Sequence, residues 1–427
     1  MKATSAKIIP GKWTTPRRFF FIIATMALLI LCRSGYESMD FFMHSGRLSF
    51  RRRPEMSHLD CGRILCGDIA YIASIATQRP VLRPSAQMSS CEEIRSRVIP
   101  PAPTKTLKFG VAYARIIYRD YEFIEEELRS SYHRQNYFCY SIDRKASWDF
   151  HSKIRKLASC FPNVLLTTEE YDIDTYGHNM NHAHYACMRL LVGKPGWGYA
   201  VLLQNHDVII KSPYEVATIF ELLEGANDVE ITPCPKDRLN LTEMWDARSL
   251  KLFANESAVS AKQLNATLSF AKGAVQVSLS RAAVEWLVFT ANLTTLMQQI
   301  NKMPFGVDEI LLESLQISDD IDMPGRFTSK CLEQGQNTDF ITRMSHWNYG
   351  EEEGCKTRYV RNGLCVLGME DLHSLSQYPN IMANKMLPEF DYAIVECVHE
   401  MIFNRTFLEQ VDHPLDMDYY SNMVNVS

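Results

Sequence analysis

Between Leu107 and Ile210 the apolar positions follow two alternating rhythms. LKFGVAYARIIY is an almost continuous apolar run of strand length, whereas RDYEFIEEELRSSY, directly after it, spaces its apolar residues three and four apart as a helix does. The alternation continues. YFCYSID, NVLLTT and GYAVLLQNHDVII read as strands, with WDFHSKIRKLASCF and NHAHYACMRLLV as the helices between them. Strand, helix and strand in succession predict an α/β fold with a mostly parallel sheet and right-handed crossovers, whose ligands bind at the carboxyl ends of the strands. Asp143, closing YFCYSID, is therefore a candidate contact for a nucleotide ribose or base, although its position equally describes an acidic turn residue. Further on, AKGAVQVSLSRAAVEWLVFTANL reads as strand, turn and helix. MPFGVDEILLESL then reads as a proline-glycine turn and a helix start, with Asp308 and Glu309 in the first turn, where acids complement the helix dipole.

The amino end differs. Lys2, Lys7, Lys12, Arg17 and Arg18 precede the apolar stretch Phe19 to Cys32. No small-x-small cleavage site follows it, so the stretch predicts an uncleaved signal-anchor over 19–32, leaving 1–18 cytoplasmic and the rest luminal. Residues 33–105, rich in proline and basic residues (SFRRRPE, RPVLRP, VIPPAPTK), read as a luminal stem before a catalytic domain over 106–427.

Composition supports this topology. With 427 residues, 46% of them hydrophobic, the chain can build a large core, and a formal charge of −5 with no long basic block argues against nucleic acid as a partner. Six N-glycosylation sequons begin at Asn240, Asn255, Asn265, Asn292, Asn404 and Asn425, where about two or three would arise by chance. All lie beyond the apolar stretch. Eleven of the twelve cysteines do too, without the spacing of a metal site, as expected in an oxidising compartment.

A luminal, membrane-tethered α/β chain with a nucleotide-style half points to a glycosyltransferase, which needs a base for the acceptor hydroxyl and positive charge for the departing nucleoside diphosphate. There is no GxGxxG or P-loop pattern. Asp-x-Asp strings occur at Asp172, Asp320 and Asp416, but none follows a convincing buried strand.

LDCGRILCGD, YFCYSID, ASCFPNV, ACMRLL, AKGAVQVSLSR, PFGVDEILL, HWNY, CVLGMEDL and ANKMLPEFDYAIVEC stand in the order of landmarks found in one family. From about Cys61 to Cys397 the chain resembles the core-2/I-branching β-1,6-N-acetylglucosaminyltransferases, which include peptide O-xylosyltransferases. The resemblance implies a GT-A-like nucleotide-sugar transferase fold behind the anchor and stem. It implies an inverting transfer of N-acetylglucosamine from UDP-GlcNAc to a glycan or glycoprotein hydroxyl by a Golgi type II membrane protein. Two alternatives are a UDP-xylose-dependent O-xylosyltransferase of the same fold and a catalytically inactive luminal glycan-binding protein.

Residue by residue, the resemblance makes Glu309 the catalytic base. It gives Arg361 and Lys385 the role of neutralising the diphosphate without a metal, no cofactor being expected. Arg358 is a substitute for Arg361, because the loop from Cys355 to Cys365 is one residue longer than the family spacing. Acceptor contacts fall on Glu230, Trp347 and Tyr349, an aromatic face packing on the sugar ring while a carboxylate holds its hydroxyls. Lys236 and Arg238 come earlier than the family's basic residues. The implied disulfides are Cys61 with Cys397, Cys91 with Cys160, Cys139 with Cys187 and Cys355 with Cys365. Cys66, Cys234 and Cys331 are left over, and an odd number implies a free thiol or a disulfide-linked oligomer.

Overall fold

The computed structural model describes residues 48–423, apart from 86, 101, 241, 326–339, 349–353 and 411. The expected anchor at 19–32, Tyr349, Cys331 and Asn425 lie outside the described residues. No described helix is long and apolar enough to cross a membrane.

Strands β1 (Gly110–Ile117), β2 (Tyr137–Ile142), β3 (Val164–Leu166) and β4 (Trp197–Leu203) form the expected parallel sheet. Each residue of β1 is buried, which explains its unbroken apolar run: both faces of the sheet are covered. The strand order is β3-β2-β1-β4-β8, the last being Ser278–Ser280, antiparallel to β4.

The stretch expected as one strand to Ile210 is two. Asp207 turns the chain by accepting the amide of Gln204 at 2.6 Å, and β5 (Val208–Ile209) leaves for another sheet. There it pairs with β12 (Met382–Asn384), which runs parallel to β9 (Arg343–Ser345). Two small antiparallel pairs, β6 (Thr232–Pro233) with β7 (Ala271–Lys272) and the hairpin β10 (Val360–Arg361) with β11 (Leu364–Cys365), complete the strands.

The helix Tyr121–Ser131 is buried on more faces than its apolar spacing predicts. Three of its four acids are held in ion pairs, because an unpaired buried carboxylate is costly, and Glu122 accepts the amide of Ser85 at 2.8 Å. Glu125 pairs with Arg97, Glu126 with Arg53 and Arg129, and Glu127 with Arg115 and His399.

The compact unit begins at Phe50. Helices Cys61–Leu65 and Cys91–Val98 insert Ile64, Ile94 and Val98 into the main core, beside Met56 and Leu59 of the preceding segment. A capping box between Ser90 and Glu93 starts the second of these helices, and a disulfide from Cys91 to Cys160 fastens it. The others join Cys61 to Cys397, Cys139 to Cys187 and Cys355 to Cys365, the same four pairs that the resemblance implies. Cys66 is disulfide-bonded as well, and Cys234 is a free, half-buried thiol.

Of the sequons, Asn240, Asn255 and Asn265 are exposed and Asn292 is partly so. Asn404 is corrected: it is buried in the helix Ala393–Phe407, which leaves no room for a glycan.

Candidate active site

Glu309 ends a single 3-10 turn, Val307–Glu309, and the α-helix starts only at Leu311. Asp308 is thus not the helix-start residue its position suggests. Burial, then the negative charge of Glu309, pushes its carboxyl up to about 7. The turn is clamped on two sides: Val307 N donates to Tyr176 O at 3.2 Å, and Glu309 O accepts from Gly273 N at 3.0 Å. Only glycine fits at 273, since a Cβ there would lie 1.9 Å from Glu230 O. Glu230 and Glu309 therefore flank one glycine.

The Glu309 side chain keeps a third of its surface and accepts a hydrogen bond at Oε2 from Arg238 Nη1, 2.7 Å away. That guanidinium also stacks 4.8 Å over Phe305. Gly306, at φ +61°, makes the approach possible, because a Cβ at 306 would lie 2.5 Å from Arg238 Nη1. One turn further on, Glu313 is enclosed, and burial holds it far above the ordinary carboxylate range.

Lys385 and Arg361 come together. Burial first, and then the charge of Arg361, lowers Lys385 below the usual lysine range; Asp207 opposes this, and Arg343 and Arg119 add to it. Arg361 is half exposed and lies 3.8 Å from Glu389. Arg343 links this group to the carboxylates, since its charge acts on Asp308 as well as on Lys385. Arg358 occupies the loop before β10 with φ +56°.

Asp143 directly follows β2, its carboxylate accepting Lys145 N at 2.9 Å, so the turn description fits and the side chain is buried. Trp347 is exposed and its backbone bridges to Leu364 beside β10.

The expectation of metal independence is corrected. Asp120, His206 and Glu389 offer ligand atoms within 4.8 Å of one another, next to Arg119 and Arg361. An imidazole with two carboxylates is a donor set suited to a divalent cation. Sequence spacing hides this trio, because its members come from the end of β1, the turn after β4 and the loop after β12. Arg343 and Gly273 were likewise missed; nothing local marks TRMSHW or AKGAV as part of a site.

A profile of Core-2/I-Branching enzymes matches residues 111–376, well over half of the chain. The chain belongs to the Core-2/I-Branching enzyme family. Among its relatives is the bovine (Bos taurus) β-1,3-galactosyl-O-glycosyl-glycoprotein β-1,6-N-acetylglucosaminyltransferase, 22% identical over 90% of this chain and 94% of the bovine one. The human (Homo sapiens) protein of the same name is 22% identical over 93% and 97%. A human protein named as a probable seventh such transferase is 26% identical over 73% and 72%. In this Core-2/I-Branching enzyme the matched span covers β1 through the turn carrying Glu309, β9 and β10. Lys385 lies just beyond it.

Proposed function

We propose that the chain is an inverting, UDP-sugar-dependent glycosyltransferase that moves N-acetylglucosamine from UDP-GlcNAc to a glycan hydroxyl, forming a β-1,6 branch. The observation that carries this reading is the acid-and-cation arrangement: Glu309 in its clamped turn, with Arg343 linking its neighbour Asp308 to Lys385 and Arg361. Glu309 accepts the acceptor hydroxyl proton while that oxygen bonds to the anomeric carbon and the bond from that carbon to the β-phosphate oxygen breaks. UDP leaves with the electron pair on the face opposite the attack, so configuration inverts. Lys385 and Arg361 stabilise the charge that grows on the β-phosphate, and a dehydrated cleft strengthens their effect.

On the acceptor side, Glu230 holds sugar hydroxyls and Trp347 packs on a ring face, with Tyr349 as its companion. Asp143 contacts the nucleoside. We place the enzyme in the Golgi membrane as a type II protein, with residues 1–18 cytoplasmic, 19–32 as the anchor, a luminal linker, and glycans on its exposed sequons. Its substrates are UDP-GlcNAc and a glycoprotein O-glycan. The disulfides in the described residues whose partners are known lie within one chain, so oligomerisation is not part of the reading.

The test is a transfer assay on the purified full-length chain with UDP-GlcNAc and UDP-xylose, each with a β-1,3-galactosylated O-glycan and a serine peptide, with and without chelator. Transfer from UDP-GlcNAc to the glycan is expected. Transfer only of xylose to serine overturns the reading, and the chelator arm reads what the Asp120, His206 and Glu389 cluster contributes.

A further inference from the structure

Behind Lys385 lies a closed chain of polar side chains. Asp207, fully enclosed, accepts from Gln276 Nε2 at 3.0 Å on each oxygen and from Asn384 Nδ2 at 2.6 Å. Gln276, also fully enclosed, uses its Oε1 to accept from Arg343 Nη1 at 2.7 Å. Asn384 lies in β12 opposite Ser345 of β9, two residues after Arg343, and is followed directly by Lys385. One hydrogen-bonded network thus fixes the backbone position of Lys385 and the guanidinium of Arg343. Buried networks of this kind hold their members only when every partner is supplied.

Arg343 is left with capacity to spare. Its Nε is buried and has no hydrogen-bond partner, and no described carboxylate lies within ion-pair distance of it. An enclosed guanidinium N–H without an acceptor is costly, so it calls for a ligand. The electrostatic setting says which kind. Arg343, Arg361 and Arg119 all act on Lys385, while the acid that opposes them most, Asp207, is already saturated by Gln204, Gln276 and Asn384. Asp120 and Glu389 answer Arg119 and Arg361, which leaves Lys385 and Arg343 without a carboxylate partner among the described residues and calls for an anionic ligand. A neutral saccharide supplies hydroxyls only; a diphosphate supplies both charge and acceptor oxygens.

We propose that Arg343 is a third cation of the donor site, binding the diphosphate of the nucleotide sugar together with Lys385 and Arg361 and held for that purpose by Gln276. This rests on the reading of the chain as a UDP-sugar transferase. Of these three cations Arg343 is the one whose charge also reaches Asp308, so its contact is with the phosphate from which the sugar departs, and it contributes both to donor affinity and to leaving-group stabilisation.

The test is calorimetric titration of the full chain with UDP and with uridine, for the unaltered protein, R343A, R343K and Q276A, with thermal unfolding as the check on folding. Arg343→Ala is expected to weaken UDP binding at least tenfold and leave uridine binding within twofold. Arg343→Lys recovers part of the loss, and Gln276→Ala shows a smaller loss in the same direction. R343K keeps the test alive should R343A not fold, since the planar fork is lost while the charge remains. UDP affinity within twofold of the unaltered protein in a folded R343A overturns the proposal, as does an equal loss for UDP and uridine. If the unaltered chain binds no UDP at all, the parent reading falls; if it binds UDP and the variants bind it equally, only the role of Arg343 falls.

Discussion

Arg238 donates from Nη1 to Oε2 of Glu309 at 2.7 Å, so the candidate base is held by a cation on its open side while its backbone is clamped from behind. Acceptor binding has to share or displace that contact. Arg238→Ala is therefore expected to lower kcat about tenfold, as a positioning defect, with UDP affinity unchanged. Steady-state kinetics beside UDP titration check this, and equal losses in kcat and UDP affinity count against it.

Replacing Glu309 by Gln preserves shape and removes the proton acceptor. Transfer should fall by about 10² to 10⁴-fold, the range that general-base catalysis contributes, while UDP still binds. A rate near that of the unaltered enzyme removes Glu309 from the mechanism.

Gly306 carries the approach of Arg238 to Glu309 in a left-handed conformation. Gly306→Ala meets two obstacles, positive φ and a Cβ 2.5 Å from Arg238 Nη1. A stability loss of about 1–2 kcal/mol is expected from the backbone alone, together with the kinetic defect of the Arg238 variant. Chemical denaturation and kcat on the same protein read both.

Asp308 gives a pH dependence with a definite sign. Its folded carboxyl is raised from 3.8 to about 7 by burial and then by Glu309. A group that holds its proton more tightly when folded contributes stability that is fully present below pH 4 and lost as pH rises through about 7. Asp308→Asn keeps the neutral form at every pH. The melting temperature of D308N relative to the unaltered protein should therefore rise between pH 5 and pH 8; a constant difference rejects the assignment.

Lys385 is lowered below the ordinary lysine range, so it sheds its charge at a lower pH than an exposed lysine. UDP affinity should decline on the alkaline side before pH 10.5 is reached. Lys385→Arg, charged throughout, should remove that limb, as titrations across pH will show.

Legibility followed locality. β1, β2 and β3 with their helices could be read directly, because a sheet covered on both faces demands unbroken apolar strands and its helices carry a 3.6-residue stripe. Gln204 to Asp207 could not: an apolar run that crosses from one sheet to another looks like one strand until the pairing of β5 with β12 is known. Residues before 106 looked like a stem since proline and arginine dominate them, yet the Ser90 and Glu93 pair was a legible helix start, and Arg53 and Arg97 are spent neutralising buried acids. Glu309, Arg361 and Lys385 are candidates named by landmark order. Arg343, Gln276 and Asp207 are not, because their connection exists only through side chains that meet from segments far apart in the chain.

The tie between Cys61 and Cys397 closes the fold across a sequence separation of 336. A ribosome working at about 5–20 residues per second delivers the second sulfur about 20–70 s after the first. Throughout that interval the nascent chain carries Cys61 unpaired, with Cys66 and Cys91 already at hand as wrong partners. Closure of this bridge therefore has to await the synthesis of Cys397, and a cell with little thiol-exchange capacity should yield the protein poorly even when every codon is read correctly.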